Sequence, residues 1–518
     1  MADCEYKPLL FTTTVRNPER YKQIIGILLK YDGQVLTNAV IDKIIFDLVS
    51  SKIYVPMYAH RTPALKAKML DDDESFTAEE TRLIIQNSPQ QHKEAGFDKG
   101  WPSRFDTFYK MAMELGFVYY KMGEPIRVSE AGIKLAKAIE PEYAHLEEQA
   151  FLNAFTKYQR NNPFRRVLND NKPLILLLQT IKLLKELYGN ECSGISSLEI
   201  PLIICWKNND AKELVAVIKQ IRDKFAFTPS DSYIYELCKK ELGLDDEDEK
   251  RFKMSNILKE LPDEFIRKMR LTGLFSLRGQ GRFLDFNTLE SRKIEYVLKN
   301  YSADSVEFDS VENYYEYMKE IDPNLMSMEA VEIADVSERE RLFMKWVNEF
   351  EMATLSEELN IVCSPRAASK NDILKYISEP LRLEFLTALS LQKAFTDIKV
   401  IANYIIDDEG MPTRFAPGNG ADIICFDLAG RVLFEVTLLT GTQQNIREMP
   451  AIERHLKETI LTAPNSFSVM LCPRIHPDTK RYSEFVKFKD NIDISVIDIE
   501  QYLVNIVNYH SIREFRIA

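Results

Sequence analysis

The 518-residue sequence lacks the marks of several protein classes. No apolar run approaches the ~20 residues of a membrane span, and the opening MADCEYKPLLFTTT has acidic residues where a secretory signal has a basic and then an apolar region. The expectation is a cytoplasmic protein of the cell interior with no membrane. Seven cysteines are scattered without a C-x-x-C pair, which fits buried, reduced thiols better than zinc or disulfides. Six histidines are equally dispersed, so neither a histidine metal site nor a histidine-based triad has support in the spacing. Nor is there an excess of positive charge. The 67 Lys+Arg against 79 Asp+Glu leave −12, which taken whole counts against a nucleic-acid partner.

The distribution of that charge weakens the exclusion. Residues 1–140 balance to zero, residues 141–300 carry +2, and residues 301–518 carry −14. If DNA binds, the first 300 residues attract it, and the acidic remainder is held to the phosphates by tethering or by metal. At ~100–200 residues per domain, the length accommodates roughly three domains.

What is present in the first half is a repeated order of elements. Arg16-Asn17-Pro18-Glu19 is a helix start leading into Tyr21–Leu29, and a second helix follows at 38–50. Asp71–Glu74 is a solvated loop, and Thr77-Ala78-Glu79-Glu80 a capping box. Phe105–Leu115 is helical and ends at Gly116, two short strands flank Lys121–Pro125, and Ser129 caps a helix through Ile139. The same order returns at Phe252–Arg270, Leu274–Leu277, Arg282–Phe286 and Ser291–Tyr301. Helix, hairpin, helix is the order of a winged helix-turn-helix, so two winged-helix-like recognition units are expected, at 1–150 and 151–301. Residues 302–336 are acidic, weakly periodic and suited to a linker. Candidate DNA-binding residues are Lys99, Trp101, Arg104 and Lys110 on or before the first recognition helix. In the second unit they are Arg278, Gln280 and Arg282 at a glycine-flanked turn, with Arg267, Lys268 and Arg270 crowding it.

From 337 to 518 helices and strands alternate, as expected of an α/β domain with a mixed sheet. Its most informative stretch is GADIICFDLAGRVLFEVTLLTGTQQNIREMPAIERHL, residues 420–456, read as a β-hairpin turning at Ala429-Gly430 and then a helix. Pairing around that turn brings Asp422 and Glu435 within a residue or two of opposite one another. Phosphodiester hydrolysis needs a hard cation, and Mg²⁺ prefers carboxylate and carbonyl oxygens together with water. Asp422, Glu435 and the carbonyl of Val436 are the candidate ligands. Glu448 on the following helix and Glu384 on a preceding one are placed to join them.

The order of elements fits a restriction-endonuclease-like core, whose active site is written P-D-x(n)-D/E-x-K. Here Asp422 is followed 13 residues later by Glu435-Val436-Thr437. The segments FTTTVRNPERY and ADIICFDLAGRVLFEVTLLTGTQQNIREMPAIERHL resemble the AlwI family of type IIS restriction endonucleases, which includes BstNBI-type nicking enzymes. The resemblance implies two recognition subdomains, a linker and a C-terminal nuclease domain acting on double-stranded DNA with Mg²⁺. It implies that Asp422 and Glu435 bind the metal and that Glu384 and Glu448 are further acidic members of the site. Thr437 stands where the general pattern has lysine. A water activated at the metal, or ordered by Glu448 or by Gln443 and Gln444, would replace that lysine. Cutting both strands requires two active sites or two turnovers, hence a transient homodimer through the catalytic domain or a second nuclease subunit. A strand-specific nickase and a non-enzymatic winged-helix regulator are the alternatives.

Overall fold

The computed structural model describes residues 15, 20–69, 75–140, 143–165, 167–329, 331–364, 367–415 and 420–516. The helix start at Arg16–Glu19, most of FTTTVRNPERY and the acidic loop Asp71–Glu74 lie outside the described residues. The chain forms two compact units, Met1–Leu48 with Pro89–Val331, and Val49–Ser88 with Glu332–Ala518. Among the described residues no helix is long and apolar enough to cross a membrane.

In the first unit, the helix Trp101–Glu114 buries Phe105, Phe108, Tyr109 and Met111 on one side. Phe105 packs against Tyr109 and Tyr120 at ring-centroid distances of 4.9 and 5.0 Å. The chain then makes a short antiparallel ribbon, Val118–Tyr119 with Arg127–Val128, and Ser129 caps the helix Glu130–Lys137 through the amide of Gly132. The second occurrence of this order is more substantial. The helix Leu261–Arg270 leads into Phe275–Arg278 and Phe283–Phe286, and Ile195–Ser196 adds a third strand beside the latter. Ser291–Asn300 closes it.

Residues 302–326 are packed into this unit rather than strung out as a linker. They contain helices Val311–Lys319 and Pro323–Met326. The buried ammonium of Lys157 donates to the carbonyls of Tyr317, Met318 and Glu320 at 3.2, 2.6 and 2.6 Å. The negative charge of the segment had masked its buried face, Tyr314, Tyr315 and Met318.

The second unit is built on a five-stranded mixed sheet, and its elements are labelled here in chain order. Helices α1 (Val336–Glu349), α2 (Met352–Cys363) and α3 (Glu379–Ala394) precede strand β1 (Lys399–Ala402). Strands β2 (Ile423–Phe426) and β3 (Arg431–Val436) form the hairpin. Then follow α4 (Met449–Thr462), β4 (Phe467–Cys472), α5 (Pro477–Asp490), β5 (Ile494–Asp498) and α6 (Ile499–Asn508). The spatial order is β5-β4-β3-β2-β1, with β3, β4 and β5 parallel and the hairpin and β1 antiparallel. The parallel strands are largely buried and mostly apolar because helices cover both faces. Leu433 and Met470 pack with Met449, Ile452 and Leu456 of α4 and Val486 of α5. On the other face Phe434 meets Tyr502 of α6, whose hydroxyl bonds Ser390 of α3 at 2.7 Å. The result is three layers, α/β/α.

Candidate active site

The hairpin turn is set by Asp427, whose Oδ1 accepts from the amides of Ala429 and Gly430 at 2.9 and 2.8 Å. From that turn the register runs Phe426 with Arg431 to Ile423 with Phe434. One step further brings Asp422 opposite Glu435. Asp422 Oδ2 accepts the amide of Val436 at 2.8 Å, which ties the acid to the strand that carries its partner. Glu435 is two residues beyond Leu433, so its side chain leaves the sheet on the α4 face.

Glu435 is met there by a residue that sequence reasoning had set aside. His455 of α4 is buried, and its Nδ1 is 2.8 Å from Glu435 Oε1. An ionised carboxylate only accepts, so the imidazole donates. A usable signal was present: His455 lies between Ile452 and Leu456 on the buried face of α4, and a buried imidazole needs a polar partner. Dispersal of histidines along the chain was the wrong measure, because the metal-type pattern sought there requires several of them.

Glu448 precedes α4 in a single π-helical turn, Gln444–Glu448. Pro450 has no amide to continue the ordinary i→i−4 ladder, which accounts for an irregular turn at this point. The Thr437 hydroxyl is close enough to Glu448 to favour its ionised form. Gln444, expected to order a water, has no capacity left. Its amide donates to the carbonyls of Leu439 and Arg474 at 2.7 and 2.8 Å, and its oxygen accepts from His476 N and Thr479 Oγ1 at 3.0 and 3.1 Å. It is fully buried and ties the loop after β3 to the start of α5.

The four carboxylates form one electrostatic group. Burial and then the charge of Glu435 push Glu384 up to about 8. Burial and the charges of Glu384 and Glu435 hold Asp422 well above the usual carboxylate range, against the pull of the Val436 amide. Glu435 is raised by burial, an effect that the His455 hydrogen bond partly offsets. Glu448 is raised by burial and by Glu435, with Arg447 and Thr437 opposing. Glu384 and Glu435 are buried, whereas Asp422, Val436, Thr437 and Glu448 are half-buried, so the cluster reaches the surface on the hairpin side. None of the four makes a lysine or arginine ion pair among the described residues.

A hard divalent cation suits this donor set: half-buried and buried oxygen acids, mutually repelling and held in no lysine or arginine ion pair among the described residues. Among the described residues no three acid, histidine or cysteine side chains already converge as a cage. Two carboxylates and a carbonyl, with water completing the shell, is the way Mg²⁺ is ordinarily held.

The DNA-binding candidates divide by what already engages them. Lys99 is exposed, and Trp101 is half-buried at the first helical position. Arg104 approaches His92 Nε2 at 2.9 Å and lies over the Phe108 ring at 4.9 Å. Lys110 is held by Glu94 at 3.3 Å and Asp106 at 3.9 Å. In the second unit Arg278 is bound at 2.9 Å to Asp285, a buried acid that also takes Lys185 at 2.9 Å. Lys268 is fully buried against Glu264 and is no part of a basic face, contrary to expectation. Gln280 and Arg282 are exposed at the hairpin tip. Gly279, Gln280 and Gly281 have φ of 57°, 59° and 82°, a left-handed run that the two glycines make accessible.

In class, the protein is a restriction endonuclease, a type II site-specific deoxyribonuclease. The family model described as AlwI restriction endonuclease matches residues 113–338 and 323–507, most of the chain, and the chain belongs to that family. This removes the non-enzymatic regulator from consideration. Among solved structures, the small subunit of the heterodimeric restriction endonuclease R.BspD6I is similar at 21% identity over 31% of this chain and 77% of its own, with a TM-score of 0.26. Restriction endonuclease FokI, alone and bound to DNA, is similar at 12% identity over 95% of this chain and 94% of its own, with a TM-score of 0.22. No curated protein matches the chain.

Proposed function

We propose that the protein is a type IIS enzyme: residues up to about 301 bind a short asymmetric sequence in double-stranded DNA through two winged-helix-like units. The domain from 337 onward then hydrolyses phosphodiester bonds a few base pairs away with Mg²⁺. The observation that carries the catalytic half is the pairing of Asp422 and Glu435 across one hairpin, beside two further carboxylates that burial also raises, Glu384 and Glu448. Asp422, Glu435 and the Val436 carbonyl would hold the cation. When bound, it would polarise the phosphoryl oxygen and make an attacking water more acidic.

The chain's own groups do the rest. His455 fixes the orientation of Glu435, as outer partners of metal-binding carboxylates commonly do. Glu448, raised in pKa and oriented by Thr437, is suited to take the proton of the attacking water. Thr437 thus acts through Glu448 and does not supply the charge a lysine would. Glu384, buried like Glu435 and affected by its charge, completes the acidic group. Attack by water on phosphorus with cleavage of the P–O3′ bond, the 3′ oxygen leaving and taking up a proton, would give 5′-phosphate and 3′-hydroxyl ends.

For DNA recognition, Gln280 and Arg282 are the strongest base-reading candidates, and Lys99, Trp101 and Arg104 serve the first unit. Lys110 and Arg278 shape these surfaces from within their ion pairs. Cutting of both strands would engage a second catalytic domain, from another copy or from a separate nuclease subunit, and nicking is the outcome without one. Run-off sequencing of plasmid treated with protein and Mg²⁺ tests the proposal. Breaks at a fixed offset outside one asymmetric sequence are expected, and breaks inside a palindrome or at random positions would overturn it.

A further inference from the structure

Tyr404 lies between β1 and the short strand Ile405–Ile406. The preceding residue is pinned to the catalytic hairpin: Asn403 N donates to the carbonyl of Asp422 at 2.9 Å, and the Asn403 amide side chain donates to that of Ala421. The carbonyl of Tyr404 accepts from Arg339 at 2.7 Å. Its ring stands edge-on to Phe385, with centroids 5.9 Å apart, and Phe385 is the residue after Glu384 on α3. The residue is 3% exposed, yet its hydroxyl has no hydrogen-bond partner among the described residues. The acid whose charge is felt at that hydroxyl is Glu384.

A buried hydroxyl left without a partner is destabilising. A phenylalanine would fill the same space without that cost, so the packing alone does not call for tyrosine here. Glu384, for its part, is buried and is destabilised in its charged form by Glu435. The unpartnered hydroxyl and the buried carboxylate belong to adjoining parts of one site.

We propose that Tyr404 is a positioning residue of the nuclease site, its hydroxyl donating through one water to the Glu384 carboxylate and fixing that carboxylate toward Asp422 and Glu435. The inference rests on the reading of these carboxylates as the cation-binding group. Asn403 gives it a mechanical basis, because the segment that carries the donor is bonded to the backbone of Asp422 itself. Displacement of the hairpin would therefore carry Tyr404 with it.

The test uses Tyr404→Phe in the full-length protein, which keeps the ring against Phe385. Single-turnover cutting of a plasmid carrying the mapped site should fall by about 10–100-fold, with binding of that site in Ca²⁺ unchanged. Independently of activity, the rise in Tm caused by Ca²⁺ should be smaller in Tyr404→Phe than in wild type. It should be no smaller in Tyr404→Phe/Glu384→Gln than in Glu384→Gln alone, because the two side chains act as one unit. Wild-type cutting and a wild-type Ca²⁺ response in Tyr404→Phe would overturn the proposal. So would additive losses in the double variant, or a lower metal-free Tm with an unchanged Ca²⁺ response, which is the mark of a packing role. Glu435→Gln separates the two levels: if it still cuts, the carboxylate reading itself fails, whereas a dead Glu435→Gln beside a normal Tyr404→Phe removes only the tyrosine.

Discussion

Replacing Glu384 with glutamine should stabilise the metal-free protein while destroying its activity, and only at alkaline pH. Burial and Glu435 push the Glu384 carboxyl up to about 8 in the fold. Between the ordinary glutamate range and that value, the native state keeps a proton the unfolded chain has lost. The stabilisation from the protonated form is therefore complete below about pH 4.5 and disappears as the pH rises through about 8. At ~1.4 kcal/mol per pH unit, ionising Glu384 in the empty site costs roughly 5 kcal/mol by pH 8.5. Glutamine keeps the shape and never ionises. If only a third of the cost is recovered, ~1.5 kcal/mol would raise the Tm of a unit this size by about 3–6 °C. Differential scanning fluorimetry in EDTA should show equal Tm values for wild type and Glu384→Gln at pH 5 and a higher value for the variant at pH 8.5. Calcium should reverse the order at pH 8.5, because it neutralises the repulsion in the wild type. A difference independent of pH, or a variant less stable at pH 8.5, would refute the assignment of Glu384 to a repelling cluster.

Asp422→Ala and Glu435→Ala should each abolish cutting and leave specific binding in Ca²⁺ intact by gel shift; cutting by either variant would remove it from the site. His455→Ala deprives Glu435 of its donor and should lower the single-turnover rate by about 10–100-fold, with the half-saturating Mg²⁺ concentration raised. Arg282→Ala should weaken DNA binding and, where Arg282 meets phosphate, reduce the slope of log K against log salt by about 1. Arg278→Ala leaves the buried Asp285 with Lys185 alone, and a loss of about 1–3 kcal/mol in thermal or urea unfolding is expected alongside any change in affinity.

Local chemistry was the part of this structure legible in the sequence. The capping box at Thr77–Glu80, the cap at Ser129 and the hairpin at 423–436 stand where turn and cap residues place them. Opposition of Asp422 and Glu435 followed from the turn alone, since a hairpin's register is fixed by its loop. What escaped depends on side chains that meet across long separations. His455 reaches Glu435 only after α4 folds back over β3, and Gln444 is consumed by Arg474, His476 and Thr479 once α5 is in place. Lys268 and Arg278 looked like part of a basic surface because charge was counted along the chain. Their acidic partners, Glu264 and Asp285, lie four and seven residues away and take them out of solvent competition.

The acidity of the second half acquires a different meaning under the proposed function. Residues 301–518 carry −14, and four of their carboxylates form the acidic group at which, on that proposal, the phosphate arrives. Without a cation that surface would repel DNA, and its own acids resist ionisation, so neither substrate nor base would be ready. A divalent ion would relieve both at once: it would remove the repulsion that raises the carboxylate pKa values and offer the phosphate a positive centre. Binding by the proposed recognition half would then supply the proximity that the acidic domain cannot generate for itself. On this reading the negative charge confines cleavage to DNA already held by the first unit. Charge-neutralising substitutions on the surface around the hairpin should accordingly raise cutting at unrelated sequences more than at the cognate one, which sequencing of digestion products from a mixed plasmid pool would measure.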